Sequence, residues 1–349
     1  MINPLLLEVL KVQSETYKCD KMIDFVLEKL FELGCSMDYD ESGNIYAIKG
    51  SADTYPCMVA HLDTVHKIVP DNEYTVISDD EYAFAYNPIK REMTGVGGDD
   101  KVGIYIALQM MRDLDHCKAA FFVDEEVGCL GSSEADMEFF KDVRFALQCD
   151  RKGNSDFVYN IMGVSLYTEQ FSNDIAPILE AHGYSENMGG LTDVYQLADN
   201  GIGVCVANMS CGYYNPHCDD EMISLKDVEN CRRMVYEIMY KCTDVYECNH
   251  EIGRSYSWWK DGGNGIAYGK DSSKDIETLS WYDNNSTNGS TTDWYDKDWS
   301  DWEYNNGKYT MTDSKWKACW DCYEVHDKSA INSDGLCDRC SIYHNPKII

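Results

Sequence analysis

The sequence predicts an α/β fold in which a mostly parallel (mixed) sheet lies between layers of helices. Short apolar runs typical of buried strands alternate with amphipathic segments of helical period. That order favours a sheet covered on both faces. Polar residues follow several of the apolar runs directly, which is where ligands of such sheets bind.

The elements can be predicted in chain order from these periodicities. Two amphipathic helices are expected at 4–13 and 20–33, followed by a hairpin with strands 36–40 and 44–48. A short apolar strand at 57–60 precedes a second hairpin, 74–77 with 82–86. The remaining predicted elements are helices at 101–111, 169–182 and 225–241 and strands at 119–123, 145–149 and 203–207.

The composition excludes some classes of partner. The chain has 349 residues, 44% of them hydrophobic, and a formal net charge of -31. Such a charge lacks the basic footprint of a nucleic-acid-binding protein and should be repelled by anionic membranes. No apolar run is long enough to span a bilayer, and no secretory signal opens the chain. We therefore expect a cytoplasmic protein whose 16 cysteines are mostly free thiols.

The chain divides into three predicted parts by composition. Residues 1–245 read as the α/β domain, and all 8 tryptophans lie between Trp258 and Trp320. We interpret 246–315, rich in Trp, Asp, Asn and Ser, as a weakly ordered or β-rich linker. The alternative is an aromatic surface that binds sugars or peptides.

The third part, 316–349, contains paired C-x2-C motifs. Such pairs predict a closed tetrahedral zinc site with a structural role, as in a zinc ribbon. The alternatives are two disulfides or four unrelated thiols. The cysteines are Cys319, Cys322, Cys337 and Cys340.

Five residues of metal-binding type stand in the order His, Asp, Glu, Asp, His. Two imidazoles and three carboxylates are what two adjacent zinc ions need, so the set predicts a metal-dependent hydrolase. A lone member would usually be a core histidine, a helix cap or a solvated acid, and the joint pattern argues against that. The five are His61, Asp99, Glu126, Asp150 and His217.

Neighbouring acids suggest how the chemistry is divided. Asp63 is placed to hold the second imidazole nitrogen of His61. Asp99 follows flexible glycines at a helix start, where its carboxylate can bridge two cations or merely cap the helix. Of the adjacent glutamates, we assign Glu126 to the metal and Glu125 to the water as general base.

The motifs HLDT, GGDDKVG, DEEVGCLGS and YNPHCDDE resemble the peptidase T-like branch of the co-catalytic zinc exopeptidases, over about residues 1–243. The wider group includes aminoacylases and glutamate carboxypeptidases. The resemblance implies a zinc-exopeptidase catalytic domain of the phosphorylase/hydrolase-like type. It implies that Asp99 bridges two metals, that His61 and Glu126 bind one metal each, that Asp150 and His217 complete the sites, and that Glu125 is the base.

The spacing departs from the family pattern at one place. Only about 66 residues separate Asp150 from His217, too few for the lid or dimerisation domain that peptidase T inserts there. The compact spacing is nearer to the single-domain aminopeptidases, in which a tyrosine near the last ligand helps the oxyanion. Tyr213 or Tyr214 is the candidate for that role.

The segment GGLTDVYQLADNGIGVCV also resembles a family stretch. Thr192 and Asp193 are therefore expected to line the pocket. The plainer interpretation is that they cap a helix.

The predicted activity is hydrolysis of short peptides by an aminopeptidase with two divalent metals, Zn²⁺ first, with Co²⁺ or Mn²⁺ as alternatives. An N-acyl amino acid deacylase with the same metal centre is the alternative within enzymes. A catalytically retired binding protein acting through its C-terminal region is the alternative outside them. We expect the tail to dock a protein partner or to replace the lid.

Overall fold

The computed structural model describes residues 2–250 and, nearer the C-terminus, 302–305, 308–311, 316–318, 325–327 and 329. The chain divides into two compact units, Met1–Lys270 and Asp271–Ile349. None of the helices in the described part of the chain is both long and apolar enough to span a bilayer.

Fourteen strands are described in residues 2–250. In chain order they are β1 (Ser36–Tyr39), β2 (Ile45–Lys49), β3 (Tyr55–His61), β4 (Thr75–Ser78), β5 (Tyr82–Asn87), β6 (Glu92–Thr94), β7 (Cys117–Phe122), β8 (Val143–Arg151), β9 (Asp156–Ile161), β10 (Val164–Ser165), β11 (Ser185–Gly189), β12 (Val206–Ser210), β13 (Tyr213–Tyr214) and β14 (Met222–Ser224).

The same part of the chain forms seven α-helices. They are α1 (Pro4–Lys11), α2 (Asp20–Glu32), α3 (Gly98–Asp113), α4 (Leu130–Ser133), α5 (Glu169–His182), α6 (Asp193–Asp199) and α7 (Leu225–Lys241). Local sequence explains several ends. The Thr168 and Ser224 side chains cap α5 and α7, and Gly183 ends α5 in the left-handed region with φ 75°.

The nine-stranded main sheet is mixed, as predicted, although its parallel strand pairs do not outnumber its antiparallel ones. Its order is β1-β2-β7-β3-β8-β12-β9-β10, with β11 also paired to β9. Strands β7, β3, β8 and β12 run parallel, as do β9 and β11. The pairs β1/β2, β2/β7, β9/β12 and β9/β10 are antiparallel. Because the turn between β1 and β2 is too short for a crossover, that edge must be antiparallel.

The core is formed around the parallel centre. Strand β3 is buried along its whole length, and nearly all of α3 is buried as well. Helix α3 packs on β3, β7 and β8, and α6 packs on β3, β8 and β12. A second, antiparallel sheet has the order β13-β14-β5-β4, with β6 paired to β5. It places β13 and β14 next to β5 and β4, the strands of the second predicted hairpin.

Most predicted elements are present, and four differences are informative. Helices at 169–182 and 225–241 have the predicted bounds. The strand predicted at 203–207 begins later, at Val206, because Gly203 has a φ of 76° and Val204 instead bridges Glu247. Strands β9 and β11 and helix α6 were not predicted.

The unit Asp271–Ile349 contains two antiparallel hairpins among its described residues. Strand β15 (Trp302–Asn305) pairs with β16 (Lys308–Met311), and β17 (Trp316–Ala318) pairs with β18 (Val325–Asp327). The predicted zinc ligands Cys319, Cys322, Cys337 and Cys340 lie outside the described residues.

Candidate metal centre

The predicted site residues meet at the carboxyl edge of the parallel strands. His61 is the last residue of β3, and Asp150 lies near the end of β8. Glu125 and Glu126 follow β7 in a single 3-10 turn, Glu125–Val127. Because β7, β3 and β8 are adjacent and parallel, residues distant in sequence converge at one edge.

Asp99 lies between the two histidines. Its Oδ1 is 3.1 Å from Nε2 of His61, and its Oδ2 is 3.3 Å from Nε2 of His217. Asp99 and Asp100 depart from helical geometry at the start of α3, after Gly97 with φ 70°, and the peptide bond between them is cis. One carboxylate therefore presents an oxygen to each imidazole.

Each histidine has a second carboxylate beside it. Nε2 of His61 is 3.7 Å from Oδ1 of Asp150, and Nε2 of His217 is 3.1 Å from Oε2 of Glu126. Ligand atoms of His61, Asp99 and Glu126 all lie within 4.8 Å of one another. The five residues thus form two His–carboxylate groups that share Asp99, the grouping that the sequence predicts.

The donor set suits bound cations. Oε1 of Glu126 is buried and has no hydrogen-bond partner among the described residues. Burial, together with the charge of Asp99, raises the pKa of Asp150 to about 7. The same two causes raise the pKa of Glu126. A positive ion would offset this repulsion and take up the unpaired oxygen. The residues present therefore fit a divalent metal pair.

Asp63 contacts both His61 and the turn that carries Glu125 and Glu126. It is fully buried, and its Oδ1 is 3.4 Å from Nδ1 of His61. Its carboxylate also accepts the backbone N–H groups of Glu125 and Glu126 and the hydroxyl of Thr16. Burial opposes ionisation, but these hydrogen bonds, led by the one from His61, lower the pKa of Asp63. Asp63 thus orients both the first imidazole, whose Nδ1 lies 3.1 Å from its backbone carbonyl oxygen, and the glutamate turn, a dual role that the sequence did not reveal.

The side chains of Glu125 and Glu126 point in different directions because the two residues lie in the 3-10 turn Glu125–Val127 and not in a strand. Glu126 contacts His217, whereas Oε2 of Glu125 is 4.0 Å from Nε2 of His61. Oε1 of Glu125 accepts the thiol of Cys129 at 3.4 Å. Burial above all, and then the carboxylates of Asp150 and others nearby, raise the pKa of Glu125 well above its usual range. A raised pKa makes this carboxylate a stronger proton acceptor than an exposed glutamate.

The other predicted residues separate into two groups. The hydroxyls of Tyr213 and Thr192 donate to Asp150, at 3.2 and 3.1 Å. The hydroxyl of Tyr214 instead donates to Asp227 at 2.7 Å, so it is not one of Asp150's partners. Asp193 is fully buried beside Gln148 and has one oxygen without a partner among the described residues.

Thr192 and Asp193 stand at the start of α6, and both side chains are fully buried. Thr192 stands at the N-cap position of α6, but its hydroxyl makes no cap bond and is directed to Asp150 and Gln148. Its role is to hold a candidate ligand.

Several contributing residues were missed from the sequence. Gln148 and Asn208 surround Asp150, and Asp100 accepts the backbone N–H of His61. Glu221 accepts from the backbone of Asp99. Glu221 was visible only as an acid four residues after His217. For Gln148 and Asn208, which lie within apolar strands, buried polar residues in a strand were the available signal.

Comparison with known proteins places this geometry in context. Residues 85–234 match the family model of M42 glutamyl aminopeptidases. This match includes four of the five predicted active-site metal ligands, all but His61, and spans less than half of the chain. No curated protein matches the sequence.

Solved structures share the fold at low identity. Aminopeptidase PepT from Bacillus cereus is 16% identical, with a TM-score of 0.55 over 68% of this chain and 96% of that one. A Staphylococcus aureus tripeptidase is also 16% identical, with a TM-score of 0.52 over 67% and 96%. A TET aminopeptidase from a thaumarchaeon of marine sediment is 13% identical, with a TM-score of 0.55 over 69% and 97%.

The comparisons confirm the broader prediction and do not show the finer one. The M42 match supports the prediction of a metal-dependent exopeptidase, a co-catalytic metallopeptidase. The family model that matches is M42, so the specific resemblance to the peptidase T-like branch is not shown. At this level of identity, the likeness to solved structures shows the fold alone.

Proposed function

We propose that this chain is a two-metal aminopeptidase that hydrolyses short peptides. The observation that carries the proposal is the shared carboxylate of Asp99, which contacts His61 through one oxygen and His217 through the other. Asp150 and Glu126 complete the two groups. This arrangement of two imidazoles and three carboxylates suits a pair of zinc ions, with Co²⁺ or Mn²⁺ as alternatives.

The residues of the chain have distinct parts in the reaction. Two bound divalent ions would supply an acidified water and polarise the scissile carbonyl. Glu125 accepts the proton of the attacking water and later delivers it to the leaving amine. Asp63 holds His61 and the backbone of Glu125 in place. The hydroxyl of Tyr213, beside Asp150, is the donor available for the developing oxyanion.

Free-amine peptides fit this site better than N-acylated substrates. The whole chain carries a net charge of -31, so a positively charged substrate terminus is attracted. The matching family model is that of an aminopeptidase, and the solved structures with this fold include a tripeptidase. Deacylation of N-acyl amino acids remains the alternative outcome of the test.

The test is hydrolysis of a panel of dipeptides, tripeptides and N-acyl amino acids, with and without a chelator. Chelator-sensitive cleavage of the free-amine peptides is expected. In Glu125→Gln, kcat should fall by about 10²–10⁴-fold, the usual value for a general base. Glu138→Gln is the matched control, because Glu138 is an exposed partner of Lys141. Cleavage of acylated substrates alone would make the chain a deacylase, and no turnover with any metal would favour a binding protein.

We also propose that the C-terminal cysteines hold a structural zinc and that this region docks a protein partner. The support is the C-x2-C spacing of Cys319 with Cys322 and of Cys337 with Cys340. Zinc content of the full chain should fall by about one ion in Cys319→Ser/Cys322→Ser. An unchanged zinc content would refute the structural site and leave the active-site proposal intact.

A further inference from the structure

Glu221 is a buried carboxylate that the reaction described above does not use. It lies four residues beyond His217, just before β14, and none of its surface is exposed. Its backbone N–H donates to the carbonyl of Cys218, so it belongs to the loop that carries His217. A fully buried acid in such a place needs hydrogen-bond donors to offset its desolvation.

Three donors meet this carboxylate, and they come from two other loops. Oε2 accepts the backbone N–H of Gly97 at 2.6 Å and Nε2 of His66 at 3.0 Å. Oε1 accepts the backbone N–H of Asp99 at 3.2 Å. His66 follows β3, the strand that ends in His61. Glu221, in the loop of His217, is therefore joined to two other loops. One follows His61 and contains His66, and the other is the glycine loop that precedes Asp99.

The bond to Asp99 has a geometric consequence. Asp99 has non-helical backbone angles, φ -81° and ψ 104°, so the regular hydrogen bonding of α3 does not fix its backbone. Packing leaves little freedom there, since a Cβ at Gly98 would come within 2.7 Å of Tyr213 and 3.2 Å of Oε1 of Glu221. The side chain of Asp99 reaches both histidines only while this backbone keeps its direction.

We propose that Glu221 is a positioning residue that sets the bridging orientation of Asp99 and its distance to His217. This inference rests on the proposed function, because it assigns Glu221 to the same metal pair. Glu221 does not touch metal or substrate. It acts through the backbone of Asp99 on one side and through the His217 loop on the other. Residues that orient ligands in this way typically change metal affinity or activity by about 10–100-fold when altered.

The negative charge of Glu221 matters as well as its shape. Hydrogen bonds from backbone N–H groups to a carboxylate are stronger than those to a neutral amide. Glu221→Gln keeps the size and one acceptor oxygen but removes the charge. It is therefore the sharpest test of the role.

The experiment is titration of metal-free full-length protein with Co²⁺, followed by visible absorption, beside peptide hydrolysis and thermal unfolding. In Glu221→Gln we expect the affinity for Co²⁺ to fall about 10–100-fold, the Co²⁺ spectrum to change, and kcat to fall more than KM rises. Glu186→Gln is the matched control. Glu186 accepts two hydrogen bonds, from Tyr167 and Ser172, on strand β11, and its substitution should leave all three readouts at wild-type values.

His66→Ala keeps the inference testable if Glu221→Gln does not fold. This variant removes the partly exposed His66, one of the three donors to Glu221, and leaves the hydrogen bond from the backbone of Asp99 to Glu221. We expect Co²⁺ affinity to fall roughly threefold to tenfold, the equivalent of one hydrogen bond.

The outcomes separate this inference from the proposed function. Wild-type Co²⁺ affinity, spectrum and kcat in Glu221→Gln would overturn the inference alone. The same holds if only the unfolding temperature falls, because a purely structural residue would do that. With Glu221→Gln unfolded, unchanged affinity in His66→Ala would overturn it. A wild-type chain that takes up no Co²⁺ would overturn the proposed function and, with it, this inference.

Discussion

At the scale of single residues, the direction of a side chain decides whether a tyrosine reaches the candidate metal centre. Tyr213 and Tyr214 are adjacent in β13, so their side chains lie on opposite faces. The Tyr213 hydroxyl reaches Asp150, and the Tyr214 hydroxyl reaches Asp227. The sequence proposed either tyrosine for the oxyanion because both are near His217. Only the pairing of β13 with β14 distinguishes them.

The first prediction is that Tyr213→Phe lowers kcat and Tyr214→Phe does not. A hydrogen bond to a charged group contributes about 1.5–3 kcal/mol, so kcat should fall by roughly 10–100-fold in Tyr213→Phe. Steady-state hydrolysis of a free-amine dipeptide measures it. Equal kcat in both variants would remove Tyr213 from the proposed mechanism.

At the scale of elements, the glutamate turn is held by the first hairpin. Asn44 follows the β1–β2 turn and is fully buried. Its Oδ1 accepts the N–H of Val123 at 3.1 Å, and its Nδ2 donates to the carbonyl of Gly131 at 3.0 Å and to Asp40 at 2.8 Å. One side chain thus joins both ends of the loop that carries Glu125 and Glu126.

The second prediction concerns this contact. Asn44→Ala leaves the buried backbone N–H of Val123 unpaired, at a cost of about 1–3 kcal/mol, and leaves the carbonyl of Gly131 with the N–H of Glu134 as its remaining donor. The free energy of unfolding in urea should fall by that order, and kcat should fall with it because the glutamate turn loosens. Asn187→Ala is the control, since Asn187 is exposed and pairs with Asp156. An effect no larger than the control's would show that the hairpin does not hold the loop.

At the scale of the whole molecule, charge is concentrated where the metals are expected. In the metal-free protein, hydrogen bonds to Asp99 and Glu126 raise the pKa of His217 to about 11. Burial and the charge of Asp99 raise the pKa of Asp150 to about 7. At neutral pH the centre therefore holds protons that both residues must lose before they can bind a metal.

The third prediction concerns the protons that are released when metal binds. Both pKa values are raised, so metal uptake at pH 7 releases protons, and metal affinity rises as the pH rises through neutrality. Calorimetric titration with Zn²⁺ in two buffers of different ionisation enthalpy measures the release. His182→Gln, which alters a histidine paired with Asn230 and Glu237, should release as many protons as wild type. Binding heats that do not depend on the buffer would contradict the prediction.

The fourth prediction concerns where the catalytic unit ends. Tyr246 is buried, with its ring centroid 4.8 Å from that of Phe171, and its carbonyl accepts the N–H of Cys205. The free energy of unfolding of a chain ending at Lys241 should fall by about 3–5 kcal/mol, as for the loss of a buried aromatic ring. A chain ending at His250 should keep its stability and kcat. Chemical denaturation compares the two truncations, and equal stability would show that Tyr246 is dispensable.

Much of the fold was predictable because it depends on local patterns. Helix α5 follows from its apolar period, its Thr168 cap and its terminal Gly183, all visible in sequence. Strand β11 was missed because its residues are exposed, so no apolar run marks it. The antiparallel pairing of β9 with β12 was not predicted, because strand direction there depends on a contact between distant segments.

The sequence by itself determined the chemical types at the centre, their order and the apolar strands that precede them. His61, Asp99, Glu125, Glu126, Asp150 and His217 were all identified from motifs, because metal ligands and bases belong to a small set of residue types. Tertiary structure decided which residues meet. The division of Asp99 between two histidines, the choice of Tyr213 and the place of Glu221 depend on contacts between segments up to 155 positions apart. Such contacts are formed only when parallel strands and their loops pack together.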